Sequence, residues 1–125
     1  MFKLNPSPTF KAPVKITVPG GEPLPIEFEF KHRTRVGLTE WQDGFVKTVP
    51  APTENDPDAV RREMRPDREI IGEYIAGWSG VLNDAGLPEP WSVDAFLKLT
   101  NNYHAAASET FLGYLKALQE SRAKN

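Results

Sequence analysis

The chain predicts an α+β fold, an N-terminal β-hairpin packed on a C-terminal bundle of about four short helices, and three observations carry that expectation. Nine of the twelve prolines lie in the first 57 residues, so the front of the chain is read as strands and loops and the back as helices. Two segments near the N-terminus alternate apolar and polar residues with period 2. From Leu38 onward the apolar residues recur instead at helical spacing.

The hairpin comes first. Val14, Ile16 and Val18 alternate with Lys15 and Thr17, and Ile26, Phe28 and Phe30 alternate with Glu27, Glu29 and Lys31. The intervening Pro19-Gly20-Gly21-Glu22-Pro23 is turn chemistry, which gives a hairpin with one apolar face and Lys15 opposite Glu27 or Glu29 on the wet face. Two strands alone are marginal in water, so helices must cover the apolar face.

Leu38, Trp41, Gln42, Phe45, Val46 and Val49 share one helical stripe, and Thr39 with Gln42 forms a capping-box pattern that starts this helix near Thr39. Pro50-Ala51-Pro52-Thr53-Glu54-Asn55 cannot continue it and forms a loop. Asp56-Pro57-Asp58 supplies a cap, a proline at N1 and an acid in the first turn, which starts another helix. Pro66 would cost that helix about 3 kcal/mol, so it breaks there and restarts with Pro66 at N1. Ile70, Ile71, Tyr74, Ile75 and Trp78 then form a stripe that ends at Gly77 and Gly80, read as C-cap glycines, with Trp78 as a core anchor. Asn83-Asp84-Ala85-Gly86 turns the chain into an extended Leu87 to Trp91. Ser92 is the best-marked cap, with Trp91 at N′ placed to staple onto Phe96. Asn101-Asn102 breaks that helix, and Ala107, Phe111, Leu112, Leu115 and Leu118 line one side of the last, where Arg122 and Lys124 suit a helix C-terminus. The whole is expected to be a single domain over 1–125, with a hairpin region at 1–36 and a helical region at 37–125 that holds a loop at about 49–56.

Composition narrows the function classes. Charged residues make up 26% of the chain, and its net charge of −2 lacks the basic footprint of a nucleic-acid binder. There are no cysteines, which removes disulfides, thiolate metal sites and cysteine nucleophiles together and fits a reducing cytoplasm. No apolar run has the length of a signal peptide or a membrane span.

The candidate constellations for chemistry fail in turn. His32 and His104 lack a metal-ligand neighbour at i+3 or i+4. Gly77-Trp78-Ser79-Gly80 follows a helix rather than opening one, so it is no phosphate cradle, and Ser79 lacks the frame of a nucleophile elbow. The basic Lys31-His32-Arg33-Thr34-Arg35 cluster reads as the solvated end of the second strand rather than a phosphate or acidic-partner site. No catalytic residue, metal or cofactor is expected. What remains is surface for a partner, with Trp41, Phe45, Trp91, Phe111 and Leu115 the candidate binding residues and Trp78, Gly77, Gly80 and Ser92 structural anchors.

The Asn5-Pro6 to Phe10 lead, Val14-x-Ile16-x-Val18-Pro19-Gly20-Gly21, Ile26-x-Phe28-x-Phe30-Lys31-His32-Arg33-Thr34, Gly77-Trp78-Ser79-Gly80-Val81, Gly86-x-Pro88-x-Pro90 and the two closing helices together resemble the tail assembly chaperones of long-tailed phages and prophages. That resemblance covers most of the chain except Val49 to Arg65, and its motifs are short and mainly structural. It implies a non-enzymatic protein of the bacterial host cytoplasm that binds the helical tape measure protein, keeps it soluble, helps recruit the tail tube protein, and is absent from the mature virion. It also implies a longer form made by ribosomal frameshifting, for which Ala123-Lys124-Asn125 can be encoded by a slippery A-AAA-AAC run. A monomer or weak homo-oligomer follows from this reading; the alternative is a minor tail completion or connector protein of the virion, which would form a permanent ring.

Overall fold

Eight residues of alternating burial, Thr9–Ile16, form β1, and the turn after them leads into β2, Leu24–Lys31. The computed structural model describes residues 1–120, and its elements continue as α1 (Arg35–Asp43), β3 (Val46–Pro50), β4 (Val60–Met64), α2 (Asp67–Tyr74), β5 (Ile75–Ser79), α3 (Val93–Asn102) and α4 (Ala106–Ala117). The α+β class and the N-terminal hairpin are as the sequence predicts. Three strands, β3, β4 and β5, and the start of α1 are not. The expectations for Arg122, Lys124 and the Ala123 to Asn125 terminus fall outside the described residues.

β1 and β2 pair antiparallel with Val14 opposite Ile26 and Ala12 opposite Phe28. Their inner face, Val14, Ile16, Ile26, Phe28 and Phe30, is buried, with both phenylalanines at 0% exposure. Val18 lies beyond the end of β1 and is half-buried. The register also corrects the predicted charge pair, since Lys11 stands opposite Glu29 while Lys15 faces Pro25. Pro13 is tolerated within β1 because this is an edge strand, where the missing N–H can face outward.

β5 is the largest departure from the sequence reading. Ile75 to Ser79 does not continue the helix but pairs with β2, completing a sheet of order β1-β2-β5. Ile75 lies opposite Phe30 and Gly77 opposite Glu29, so Ala76 is an extra residue, a β-bulge. That single insertion puts Ile75 and Trp78 on the same inner face although they are three apart, a spacing that mimics a helix. Gly77 and Gly80 are therefore not helix caps. Gly77 lies within the strand beside the Glu29 side chain, and Gly80, at φ +95°, takes the left-handed conformation that ends the strand.

The second departure lies between residues 44 and 65. α1 begins at Arg35 because the Thr34 side chain accepts from the Gly37 N–H; Thr39 is inside the helix, its hydroxyl donating to the Arg35 carbonyl. Gly44 ends α1, and Val46 and Val49 enter β3, which pairs with β4 from Val46 opposite Met64 to Pro50 opposite Val60. Asp56-Pro57-Asp58 starts no helix. The Asp56 carboxylate accepts from the Asp58 N–H, and the segment belongs to the turn between these strands. The Pro66 restart is correct to within one residue, since Pro66 precedes α2 as its N-cap.

The C-terminal third follows its local signals closely. The Asn83 side chain accepts from the Ala85 and Leu87 N–H groups, which fixes the predicted turn. Ser92 caps α3 by accepting from the Ala95 N–H, and the Trp91 and Phe96 rings lie 5.8 Å apart as a staple. α4 is rotated by about one residue from the expected stripe, roughly 100°. Ala106, Thr110 and Tyr114 are its fully buried line, whereas Ala107 and Leu112 are exposed.

α4 lies against β1 at Gly113, where an added Cβ would come within 2.7 Å of Val14 Cγ2 and 3.2 Å of Cγ1. Val14 is β-branched and cannot swing aside freely. Gly113→Ala gains up to about 1 kcal/mol of helix propensity, yet overpacking a well-filled contact costs about 1–3 kcal/mol. A net loss of about 1 kcal/mol is expected in urea unfolding. Because the clash is with one side chain, Gly113→Ala combined with Val14→Ala should lose less than the sum of the two single losses.

Candidate functional site

The helical side of the molecule is organised around Trp41. Its indole packs edge-on to Phe45 at 4.7 Å between ring centres and to Tyr114 at 6.0 Å, and it lies 5.8 Å from Tyr74 and 6.1 Å from Phe111. The ring N–H donates to a Glu73 carboxylate oxygen at 2.8 Å, and the Arg33 guanidinium carbon sits 4.0 Å over the ring. Arg65 donates to both oxygens of the same carboxylate, at 3.0 and 2.5 Å. Arg33 also donates to the Tyr114 hydroxyl, which in turn donates to the Lys31 carbonyl at 2.8 Å. One connected network thus joins β2, α1, the end of β4, α2 and α4.

The basic cluster at the end of β2 is solvated at Lys31, Thr34 and Arg35, which are exposed, and half-buried at His32 and Arg33, and several of its side chains are also tied into the fold. Lys31 donates to the Gly72 carbonyl at 2.9 Å, Arg33 serves Trp41 and Tyr114, and Thr34 caps α1. The Arg65 hydrogen bonds hold the Glu73 carboxyl below its usual range against the opposing effect of partial burial, and the Trp41 N–H adds to that lowering. Burial pushes both the Tyr74 and Tyr114 hydroxyls upward, so each stays neutral.

Beside this network lies an open apolar groove of about 220 Å³ between α2, α3, α4 and the root of the β3–β4 hairpin. Ile70, Ile71, Tyr74 and Phe96 belong to its floor and to the core, while Phe45, Met64, Leu97 and Phe111 reach its surface. Asp67 and Thr100 are its polar groups. Met64 is 59% exposed, and its flexible side chain can adapt to whatever enters the groove.

The five candidate partner residues do not form one patch. Trp41, Phe45 and Phe111 are brought together, with Phe45 and Phe111 on the groove and Trp41 behind them. Leu115, half-buried, packs against the core from the same helix. Trp91 is elsewhere, edge-on to Trp78 at 5.1 Å, and the Trp78 ring N–H donates to the Glu89 carbonyl. Trp78 is thus an anchor, but of a strand. Sequence reasoning missed Met64, Leu97 and Asp67 as groove residues. Leu97 follows Phe96 in α3, where Val93, Phe96, Leu97 and Thr100 recur at helical spacing; Met64 is hidden by the reading of its segment as a helix.

A second, larger groove of about 730 Å³ lies between the outer edge of β1 and the end of α4, on different residues from the first. Its floor is apolar, with Phe10, Val14, Ala117 and Leu118, and Lys11, Lys15 and Lys116 stand around it. Among the described residues, no group of three or more His, Asp or Glu could hold a metal ion, and no helix is long and apolar enough to cross a membrane.

A family model described as phage tail assembly chaperone matches residues 1–125, the whole chain, and the protein belongs to that family. Neither a curated protein nor a solved structure matches it.

Because the Glu73 carboxyl is lowered in the folded state, the Arg65–Glu73–Trp41 network contributes stability above the carboxyl's unfolded value and loses it as pH falls through the folded one. Glu73→Gln should therefore lower the denaturation midpoint at neutral pH. Its deficit relative to the unmodified protein should shrink as pH is taken through and below the ordinary carboxyl range, whereas a deficit that is the same at every pH would assign the loss to packing.

Proposed function

We propose that this chaperone works by binding rather than by catalysis, holding an amphipathic helical segment of the tape measure protein against the α2–α3–α4 groove. The reading extends to keeping that long protein soluble in the bacterial cytoplasm, bringing tail tube subunits to it, and leaving before the virion is complete. The observation that carries it is the groove itself: an apolar floor continuous with the core, a surface of Phe45, Met64, Leu97 and Phe111, and few polar groups. Such a surface suits the apolar face of a helix, with Asp67 placed to meet a cation beside it. The larger β1–α4 groove is a poorer match for an apolar helix face, since three lysines surround it.

Seating one Leu- or Phe-sized side chain in the groove is worth roughly 1.5–3 kcal/mol, and a carboxylate introduced at the floor's rim would oppose it. The test is co-expression with the tape measure protein of the same gene cluster. That protein should remain soluble with the unmodified chaperone and precipitate with Met64→Glu or Leu97→Glu. Met64 is exposed and its change should leave the melting temperature nearly unchanged, whereas Leu97 is half-buried against the core and its change should lower it while leaving the chaperone folded at the assay temperature. Leu112→Glu, at a residue 63% exposed and outside the groove, should leave solubility as it was. If the tape measure protein is equally soluble without the chaperone, the proposed function is wrong; if it needs the chaperone but the two groove variants keep it as soluble as the unmodified protein does, the groove is wrong.

A further inference from the structure

The β3–β4 hairpin stands out from the body as an arm. Among the described residues its strands make extensive contact only with each other, and its root is closed by the Arg65 N–H donating to the Phe45 carbonyl. Val60 and Met64 are 61% and 59% exposed. A two-stranded hairpin is marginal in water by itself, so an arm of this kind gains from being covered. Its tip is shaped: the Thr53 N–H donates to the Asp56 carbonyl, the Asp56 N–H to the Thr53 carbonyl, and the Ala51 N–H to the Ala59 carbonyl. That shape presents Glu54, Asp56 and Asp58, all exposed, on a small proline-rich end.

The groove between β1 and α4 has the complementary character. Lys11, Lys15 and Lys116 stand around an apolar floor, with Glu120 as the one carboxylate among the lining residues, and no residue of the arm lines it. Its β1 wall is an outer strand edge, but a strand is poorly suited to extend it. Pro13 removes a donor from that edge, and Lys11 and Lys15 flank the gap. A compact acidic loop with apolar prolines meets both the floor and the lysines without needing a ladder of backbone hydrogen bonds.

We propose that the acidic arm tip, Glu54 to Asp58, of one copy of this chain seats in the β1–α4 groove of a second copy. Arm and groove are different surfaces, so the contact is head-to-tail: the copy that gives its arm keeps a free groove, and the copy that receives it keeps a free arm, for further copies. Its attraction is between opposite charges at exposed sites and is weakened by salt. The contact uses none of the residues that line the helix groove and stands independently of the tape measure reading.

Sedimentation velocity over a range of concentrations, at low and at high salt, tests it with a charge exchange. The arm variant carries Glu54→Lys, Asp56→Lys and Asp58→Lys; the groove variant carries Lys11→Glu, Lys15→Glu and Lys116→Glu, all six positions being exposed. The unmodified chain should increase in average mass with concentration, less so at high salt. Each variant alone should associate at least about tenfold more weakly, because its arm and groove then carry the same charge. Mixed in equal amounts the two variants should recover the association, since each arm again meets a groove of opposite sign. The proposal is overturned by an unmodified chain that stays monomeric at every concentration at low salt, by association that neither variant weakens, or by a mixture that associates no better than its components.

Discussion

Burial of the inner face of β2 is the constraint from which the rest of the structure follows. Phe28 and Phe30 are wholly buried in the central strand of a three-stranded sheet, and such a row has to be covered from one side by something other than the sheet. Each phenylalanine removed from water contributes roughly 1.5–3 kcal/mol, which makes this row the largest local source of stability and gives it priority over weaker preferences along the chain. Tyr74 from α2 stacks on Phe30 at 6.1 Å, Tyr114 from α4 lies 5.1 Å from it, and Phe96 from α3 meets Phe28 edge-on at 6.2 Å. Three helices are positioned by two residues. α1 touches that row less directly and is instead fastened through Trp41.

Trp41 shows why a sequence rich in exposed-looking aromatic and charged residues needs little of it for chemistry. The two arginines that could have formed a basic surface, Arg33 and Arg65, are turned onto one indole and one carboxylate. A half-buried tryptophan has to place its ring N–H, and Glu73 accepts it; a carboxylate drawn under a helix has to be matched, and Arg65 does so with two hydrogen bonds. The Glu73 side chain remains 38% exposed, so the pairing is valued for holding α1, α2 and the arm root in one geometry rather than for a large energy.

How far the sequence foretells this fold depends on whether local and tertiary signals agree. They agree for the first hairpin, where period-2 burial is enforced on both strands, and for Ser92 and Asn83, whose side chains make the expected backbone hydrogen bonds. They conflict at Ile75 to Ser79, where a bulge at Ala76 gives a strand the three-residue spacing of a helix. They conflict again at Asp56-Pro57-Asp58, because a residue type that caps helices also closes an Asx turn, and the hydrogen bond to the Asp58 N–H is the same in kind. The groove was half legible for the same reasons. Phe45 and Phe111 are legible as aromatics on apolar helical stripes, whereas Met64 and Leu97 join them only once the arm is known to be an arm and α2, α3 and α4 have been brought around Tyr74.

That dependence carries a consequence for how the two outer surfaces relate. Met64 ends β4 and also lines the helix groove, while Arg65, the next residue, is clamped by Glu73 beneath Trp41. The root of the arm is therefore shared between the groove and the network that holds the helices, and the arm tip is joined to that root by only five paired residues on each strand. A ligand in the proposed helix groove would touch Met64 at the root, and a second copy at the proposed contact would hold the same hairpin from its other end. If one contact alters the affinity of the other, the second alters the first by an equal factor, because coupling free energy is reciprocal. Tip and groove would cooperate if both favour one setting of the hairpin on its root and compete if they favour different ones, and the Val46–Met64 pair is the end of the hairpin that such a setting would involve.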